Sequence, residues 1–215
     1  MPRVVSLFLP RWPTDRLRRK SGDASPPPEA PLVLAGRMGR RRLITALDAN
    51  AQALGIGIGM AVAKAQALVP GLVVLDADPA ADREGLDRLA LWALQRISPV
   101  VAADPPDGLV INTTGADHLH GGEAAMLEMM VHKFAQSGVD ARAAVADTWG
   151  AAHAAARFLR RRTAIVPAGG SEVALRPLPL AALRLETKII GGLHTLGFET
   201  VGDLIDQPRA PQDLQ

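Results

Sequence analysis

The 215-residue sequence contains no cysteine, which excludes disulfides, thiolate zinc sites and cysteine nucleophiles. Aromatic residues make up only 3%, so the core must be built from alanine, leucine, valine and isoleucine. No apolar run approaches the ~18 residues of a membrane-spanning helix. The N-terminal segment is too short and too rich in proline for a signal peptide. With 48% apolar residues, these absences favour a folded cytoplasmic protein.

The net charge is small, at +2, but it is unevenly distributed along the chain. Residues 1–42 carry ten basic and three acidic side chains, a net charge of +7, whereas the remainder carries 14 basic and 19 acidic side chains. Twenty of the 24 basic residues are arginine, whose guanidinium can bind a phosphate through two hydrogen bonds. The basic end therefore favours an anionic partner. A solvated face in an arginine-rich protein is the alternative interpretation.

Hydrophobic periodicity predicts a mixture of strands and helices. A buried strand at 4–9 stops at Pro10, and apolar residues at the 3.6-residue period predict a long helix at 80–97. The other predicted strands are 31–35, 43–46, 72–75, 100–103, 108–113 and 141–146, and the other predicted helices are 14–20, 48–54, 61–68, 123–137, 148–162, 180–184, 188–196 and 201–207. We predict a turn at 36–42 and irregular structure at 163–179.

Two groups of polar residues could carry chemistry. His118 and His120 with Glu123 could hold a metal if the histidines lay on a strand, where alternate residues share a face. Their glycine neighbours favour a turn before a helix instead. Asp104, Asp107 and Asp117 are candidate acids, but aspartate is also an ordinary turn residue. The glycines at 55, 57 and 59 lack dinucleotide-binding spacing and are interpreted as turn residues.

Residues 188–204 form the most specific local motif. The pattern predicts a helix, a tight turn at Leu196 and Gly197, and a second helix that begins near Thr200. Helix–hairpin–helix units use such a turn and the following backbone amides to hold a DNA phosphate. Candidate DNA-binding residues are therefore Gly197, Thr200, Val201 and Gly202. An ordinary helical hairpin is the alternative.

The order of several segments resembles the N-terminal part of Y-family (UmuC-like) DNA polymerases, and among them the catalytically degenerate ImuB-like branch. The resemblance is carried by residues 7–17 (LFLPRWPTDRL), 49–70 beginning ANAQALGI, 98–100 (SPV), 106–115 beginning PDGL, 118–123 (HLHGGE) and 196–209 around TVGDL. Together these segments span nearly the whole chain.

The resemblance implies an α+β fold with a palm, small fingers and a helical thumb that holds the helix-hairpin-helix-like unit. The palm is expected at 1–15 and 70–147, as an antiparallel sheet backed by helices. The fingers are expected at 16–69 and the thumb at 148–207. The little-finger domain that follows the thumb in this family is expected to be absent, with 208–215 a tail at a truncation point.

Active members of this family need three carboxylates to hold two Mg²⁺ ions against the primer and the triphosphate. At the end of the first strand, Phe8 stands where the family has an aspartate. In the later hairpin Asp107 matches the second aspartate, but Gly108 occupies the glutamate position. Leu47 and Asn50 replace a tyrosine and an arginine that hold the triphosphate. Thr148 and Trp149 replace an Asn-Lys pair, in a looser alignment.

The resemblance therefore implies a non-catalytic adaptor in translesion synthesis and induced mutagenesis, without a cofactor. Its expected partners are DNA, an error-prone C-family polymerase, a RecA-like cassette protein and the sliding clamp. Candidate DNA contacts on the fingers are Arg37, Arg40, Arg41 and Arg42, and Arg160, Arg161 and Arg162 could form a further phosphate contact. The alternatives are a residually active, Mg²⁺-dependent polymerase, in which Asp15 or Asp104 assists Asp107, and an unrelated α/β binding protein. Weak, salt-dependent DNA binding is expected without the little finger.

Overall fold

The computed structural model describes residues 2–207, and its strands and helices are numbered here in chain order. The strands are β1 (Val4–Phe8), β2 (Leu32–Met38), β3 (Arg41–Leu47), β4 (Val73–Asp76), β5 (Val101–Asp104), β6 (Gly108–Asn112), β7 (Arg142–Ala146) and β8 (Thr163–Ile165). The α-helices are α1 (Trp12–Ser21), α2 (Ala49–Ala53), α3 (Val62–Leu68), α4 (Pro79–Arg96), α5 (Glu123–Gln136), α6 (Trp149–Phe158), α7 (Ser171–Leu175), α8 (Thr187–Thr195) and α9 (Val201–Ile205).

The chain divides into two compact units. Among the described residues, the first unit comprises 2–8, 110–128 and 142–207, and the second comprises 9–109 and 129–141. The boundaries between these two units differ from the boundaries expected for the palm, fingers and thumb. The three expected domains therefore stay a prediction. Within residues 2–207, no helix combines the length and the hydrophobicity that crossing a membrane requires.

The sheet of the first unit is built around β1. Strand β7 pairs with β1 antiparallel, from Val4 opposite Ala146 to Phe8 opposite Arg142, and β8 pairs with β7 in parallel. Helix α6 packs on β1 and β7 through an alanine face that is almost fully buried. Small side chains at this contact let the helix approach the sheet closely, which suits a sequence poor in aromatic residues.

The start of β1 is held by an ion cluster around Arg3. The Arg3 guanidinium contacts the Glu123 carboxylate at 2.5 and 2.9 Å and Asp147 Oδ1 at 2.8 Å, and it donates to the Val166 carbonyl at 2.9 Å. The hydrogen bond to Glu123 raises the pKa of Arg3. The Gly169 amide and then Arg3 lower the pKa of the Asp147 carboxyl. This cluster joins segments more than a hundred residues apart.

The second unit contains a three-stranded sheet in the order β3-β2-β4. Strands β2 and β3 form an antiparallel hairpin with a register shift after Leu34, and β4 pairs with β2 in parallel. The apolar core beneath it is formed by Val33, Ala35, Ile44, Ala51, Ile56, Val62, Ala65, Val69 and Leu72. The hairpin therefore projects from a packed base.

Two arginines of α1 are used inside the second unit. Arg18 Nη2 contacts Asp48 Oδ2 at 2.8 Å, and the same guanidinium donates to carbonyls of Pro26, Pro27 and Ala30. Because Asp48 also caps α2 by accepting from the Ala51 amide at 2.9 Å, Arg18 fixes both the proline loop and that helix. Arg16 Nε lies 2.5 Å from Asp82 Oδ1 of α4.

Three local predictions are wrong. The turn predicted at 36–42 is shorter, because the hairpin strands run to Met38 and resume at Arg41. The segment predicted to be irregular at 163–179 contains β8 and α7. The helix predicted at 14–20 begins earlier, at Trp12, so Thr14 lies inside α1, where its hydroxyl donates to the Arg11 carbonyl at 2.9 Å. The proposed tail at 208–215 lies outside the described residues.

Gly85→Ala is expected to destabilise the chain. A Cβ at this position would lie 2.6 Å from Cζ2 of the buried Trp12 and 3.1 Å from Arg16 Cδ. Overpacking of this kind costs about 1–3 kcal/mol. Urea unfolding measures it. Gly191→Ala is the control, because nothing lies within 4 Å of that Cβ and alanine favours a helix. Equal stability of both variants would show that Trp12 simply moves aside.

Candidate functional site

Phe8, which the resemblance predicts to stand at the first carboxylate position, lies at the end of β1 and is half-buried. The Arg157 guanidinium of α6 stacks over its ring, with Cζ 4.5 Å from the ring centre. Arg157 Nη1 also approaches the Ser6 hydroxyl at 3.5 Å. At the position where the resemblance predicts a carboxylate, an aromatic ring packs against a cation. The ring face stabilises the positive charge of Arg157.

Asp107 and Gly108 belong to the second unit, at the start of β6. Asp107 lines a cleft of about 500 Å³ together with Arg11, and the remaining lining residues are uncharged: Pro10, Pro13, Thr45, Ala46, Leu47, Gln52, Ile56, Gly57, Ile58 and Pro106. Arg11 is paired with Asp140 at 2.9 Å. The Asp107 carbonyl accepts from the Leu9 amide at 2.8 Å, which fixes the backbone there. Gly108 is buried.

The residues expected at the triphosphate-holding positions also lack the chemistry of the family. Leu47 lines the cleft and offers no hydrogen-bonding group there. Asn50 uses its amide to donate to the Pro28 carbonyl at 2.7 Å. Thr148 caps α6 by accepting from the Ala151 amide at 3.2 Å. The side chains at these positions therefore serve local structure.

The donor set does not fit a two-cation centre. Of the residues that the structure describes, no three His, Asp or Glu side chains are grouped so that they could hold a metal ion. His118 and His120 lie on a short 3₁₀ helix, Asp117–His120, so the strand geometry considered for a metal site is wrong. The Glu123 carboxylate beside them is bound by Arg3.

The auxiliary acids of the polymerase alternative are placed differently from Asp107. Asp15 lies in α1 and does not line the cleft, and its Oδ2 accepts from the Asp140 amide at 2.9 Å. Burial raises the pKa of Asp15 to about 6, against the lowering effects of that amide and of Arg11. Asp104 ends β5 and does not line the cleft either, and Asp117 lies in the 3₁₀ helix.

The four predicted arginines of the fingers lie together at the end of the β2–β3 hairpin. Arg37 stands opposite Arg42 and Met38 opposite Arg41, with Arg40 in the turn between the strands. All four arginines are exposed, and Met38 is 73% exposed at the same tip. Arg42 contacts the exposed Asp76 at 2.5 Å. The tip therefore presents a concentrated positive charge on a rigid two-stranded support.

Half of the basic residues at 1–42 are neutralised by carboxylates of the same chain. Within the described part of the chain, carboxylates pair with five of the ten basic residues at 1–42, namely Arg3, Arg11, Arg16, Arg18 and Arg42. The other five, for which none of the described side chains supplies a carboxylate partner, are Arg19, Lys20, Arg37, Arg40 and Arg41. Three of these five belong to the hairpin tip.

Helices α8 and α9 form the predicted helical hairpin, and Gly197 turns the chain with a φ of +88°. Its amides are already bound within the chain. Those of Glu199 and Thr200 donate to Asp203 Oδ2 at 2.9 and 2.7 Å, that of Val201 to the Leu178 carbonyl, and that of Gly202 to the Arg176 carbonyl.

The Gly197 amide donates to the His194 carbonyl at 3.0 Å. The Thr200 and Glu199 amides lower the pKa of the Asp203 carboxyl, which accepts the hydrogen bonds that these amides would otherwise offer to a phosphate. Phosphate binding by Gly197, Thr200, Val201 and Gly202 therefore requires these amides to exchange partners. In the structure, Thr200 and Asp203 form a capping box at the start of α9, where the sequence predicted that a phosphate would bind.

The third basic group has mixed surroundings. Arg160 and Arg161 line a cavity of about 530 Å³ that is also lined by Glu128, and the Arg162 carbonyl accepts from the Ala143 amide.

The tryptophans Trp12 and Trp149 have defined surroundings in the structure. Trp12 is buried. Trp149 lies beneath the Arg184 guanidinium, with Cζ 3.8 Å from the ring centre.

A sequence profile described as the impB/mucB/samB family matches residues 27–157. The chain belongs to the impB/mucB/samB family. Protein ImuB from two strains of Caulobacter vibrioides, NA1000 / CB15N and ATCC 19089 / CIP 103742 / CB 15, is 52% identical to this family member over 146 residues. The match covers 68% of this chain but only 31% of each relative.

The fold of this impB/mucB/samB family member is that of Y-family DNA polymerases. DinB from Sulfolobus solfataricus is similar with a TM-score of 0.73 at 14% identity, and the post-insertion binary complex of Dbh DNA polymerase has a TM-score of 0.75 at 14% identity. Each match covers 96% of this chain and 60% of the solved one. At this identity the likeness concerns the fold alone. The α+β class and the family resemblance inferred from the sequence are confirmed.

Asp15 gives the chain a pH dependence opposite to that of an ordinary paired carboxylate. Because its pKa is raised from 3.8 to about 6, the folded chain binds more protons than the unfolded chain between these values. Stability should therefore fall as pH rises from 4 to 6, by at most about 3 kcal/mol from this group.

Asp15→Asn should remove that component, since the amide oxygen can still accept from the Asp140 amide. Urea unfolding at several pH values measures the difference between wild type and variant. Asp87→Asn, which removes an exposed carboxylate of the same unit, is the control. Parallel pH curves for wild type and Asp15→Asn would contradict the assignment.

Proposed function

We propose that this chain is the non-catalytic, polymerase-like part of a DNA damage tolerance protein. In this proposal it binds DNA during translesion synthesis and helps to recruit an error-prone polymerase. The observation that supports the proposal is the Phe8 ring stacked under the Arg157 guanidinium, at the position where the family resemblance implies a metal-binding carboxylate. Gly108 supports it, as does the cleft in which Asp107 is the one carboxylate among the lining residues, because one carboxylate cannot hold two hard cations.

The DNA-binding part of the proposal rests on the hairpin tip. Arginines 37, 40, 41 and 42 are exposed on a support that is packed at its base, and only Arg42 pairs with a described carboxylate. Guanidinium groups bind phosphate oxygens without reading sequence, so binding should depend on salt and little on base composition. The amides of the helical hairpin contribute less, because they are bound to Asp203 and to carbonyls of the same unit.

The wider partners follow from the family resemblance. An error-prone C-family polymerase, a RecA-like cassette protein and the sliding clamp are proposed for the whole protein. The chain spans less than a third of the curated relatives that it matches, so these partners can bind parts beyond it. The protein is proposed to act in the cytoplasm.

The chain should bind a primer–template without extending it. With Mg²⁺ or Mn²⁺ and all four deoxynucleoside triphosphates, gel analysis is expected to show the unextended primer, because the carboxylate set is incomplete. A matched Asp107→Ala variant should behave identically. Extension by the wild type that disappears in Asp107→Ala would instead establish the polymerase alternative.

Reversing two charges at the hairpin tip should weaken DNA binding. Arg40→Glu with Arg41→Glu is expected to lower the affinity at least roughly tenfold and to reduce the slope of log K against log salt by about 2. Fluorescence anisotropy with a labelled primer–template measures both quantities. Arg83→Glu with Arg96→Glu makes the same change in net charge on exposed positions of α4 and should have a smaller effect. Equal effects of the two pairs would mean that only net charge matters.

A further inference from the structure

A second basic surface lies along α4 of the second unit, away from the residues used above. Two cavities, of about 290 and 440 Å³, share Arg19, Leu89 and Trp92 in their lining. The smaller one is completed by residues of α5 and the segment after it, namely Lys133, Phe134 and Ser137. The larger one is completed by residues of α1 and α4, namely Trp12, Arg16, Lys20, Gly85 and Arg88. We call the two cavities together the Trp92 groove.

The floor of the groove is apolar and fixed. Leu89 and Trp92 are three residues apart on α4, so they lie on neighbouring turns of one helix face, and both are half-buried. The rings of Trp92 and Phe134 form a T-shaped contact, with centres 5.8 Å apart. Gly85 lines the larger cavity, and a larger residue at this position would clash with the Trp12 ring.

The rim of the groove is positive. Arg16, Arg19, Lys20, Arg88 and Lys133 line the two cavities, and no acidic residue does. Asp82 neutralises Arg16 and Glu84 pairs with Arg88. Among the described residues, no carboxylate pairs with Arg19, Lys20 or Lys133, and all three are exposed.

Each of these three cations lies in the last turn of its helix, where it also offsets the helix dipole. That role does not require an apolar floor beside it. The combination of a half-buried tryptophan and leucine with a ring of cations is what a complementary ligand would need.

We propose that the Trp92 groove binds a short acidic amphipathic helix of a partner protein. Its apolar side chains would lie against Leu89 and Trp92, and its carboxylates would face Arg19, Lys20 and Lys133. The groove is lined by helices, and grooves of this kind accept a helix through apolar anchors on successive turns. The charge of the rim selects an acidic sequence and steers its approach.

The surroundings of Trp92 favour a protein over a nucleic acid. Stacking of a base needs an open ring face, whereas the Lys133 ammonium lies 6.0 Å over the Trp92 ring and Phe134 meets the ring as well. Leu89 offers nothing to a sugar or a phosphate. The inference stands on the groove itself and does not depend on DNA binding at the hairpin tip.

The test uses the 215-residue chain and a labelled peptide of about 18 residues, or five helical turns, with a leucine stripe flanked by glutamates. Fluorescence anisotropy is measured at physiological ionic strength, beside a scrambled peptide of the same composition and a labelled oligothymidine. The helical peptide should bind with a Kd of about 10–100 µM, and the scrambled peptide should bind at least roughly tenfold more weakly.

Two double variants serve as each other's controls, because each makes the same change in net charge at exposed positions. Arg19→Glu with Lys133→Glu should lower the affinity for the helical peptide at least tenfold. Its affinity for oligothymidine should fall only by the general effect of the lower net charge. Arg40→Glu with Arg41→Glu should do the reverse. Circular dichroism checks that both variants are folded, and Leu89→Gln tests the floor without changing charge.

Four results would overturn the inference. The first two are no binding of the helical peptide at ~1 mM, which is about tenfold above the upper end of the expected Kd range, and equal binding of the scrambled peptide. The other two are unchanged binding of the helical peptide by Arg19→Glu with Lys133→Glu, and unchanged binding by Leu89→Gln. A loss of oligothymidine binding in Arg19→Glu with Lys133→Glu alone would identify the groove as a nucleic-acid surface instead. Failure of the hairpin variant to affect DNA would contradict the proposed function and leave the groove unaffected.

Discussion

The first unit depends on the ion cluster around Arg3. One guanidinium, whose side chain is 15% exposed, connects the start of β1 with the start of α5, the end of β7 and the residue after β8. A largely buried cation of this kind is favourable only when all of its partners are in place, and loss of one leaves an uncompensated charge. The cluster fixes where β1 begins, and the pairing of β1 with β7 then fixes where it ends, at Phe8.

The end of β1 therefore presents its side chain at a defined place, and the chemistry there is self-consistent. With a carboxylate at position 8, an arginine beside it would form an ion pair and compete with metal ions for the oxygens. With phenylalanine, the same arginine gains a ring face to stack on and keeps its polar edge for Ser6. Phe8 and Arg157 therefore stabilise one another at the end of β1.

The sequence predicted what local patterns determine. The buried strand at the N-terminus, the long helix α4, the basic hairpin and the tight turn at Gly197 all follow from periodicity, charge or glycine, and the family resemblance supplied the fold. Strand β8 was missed because three residues carry no readable alternation and their pairing partner lies about twenty residues earlier. The binding of the α9 amides by Asp203 could have been read from the Thr200-x-x-Asp203 spacing, which is a variant of the capping box.

Long-range ion pairs explain why a count of charges overstates the basic surface. The +7 of residues 1–42 suggests one continuous positive end, yet carboxylates distant in the sequence neutralise half of its cations. The remaining charge is concentrated in two places with different neighbours. At the hairpin tip the arginines have little apolar surface beside them except Met38, so only an anion with its own hydrogen-bond acceptors gains from binding. In the Trp92 groove the cations surround the half-buried side chains of Leu89 and Trp92, so a ligand gains most when it brings both carboxylates and apolar side chains. The same charge thus has a different binding partner in each place, because the side chains around it decide what else a ligand must offer.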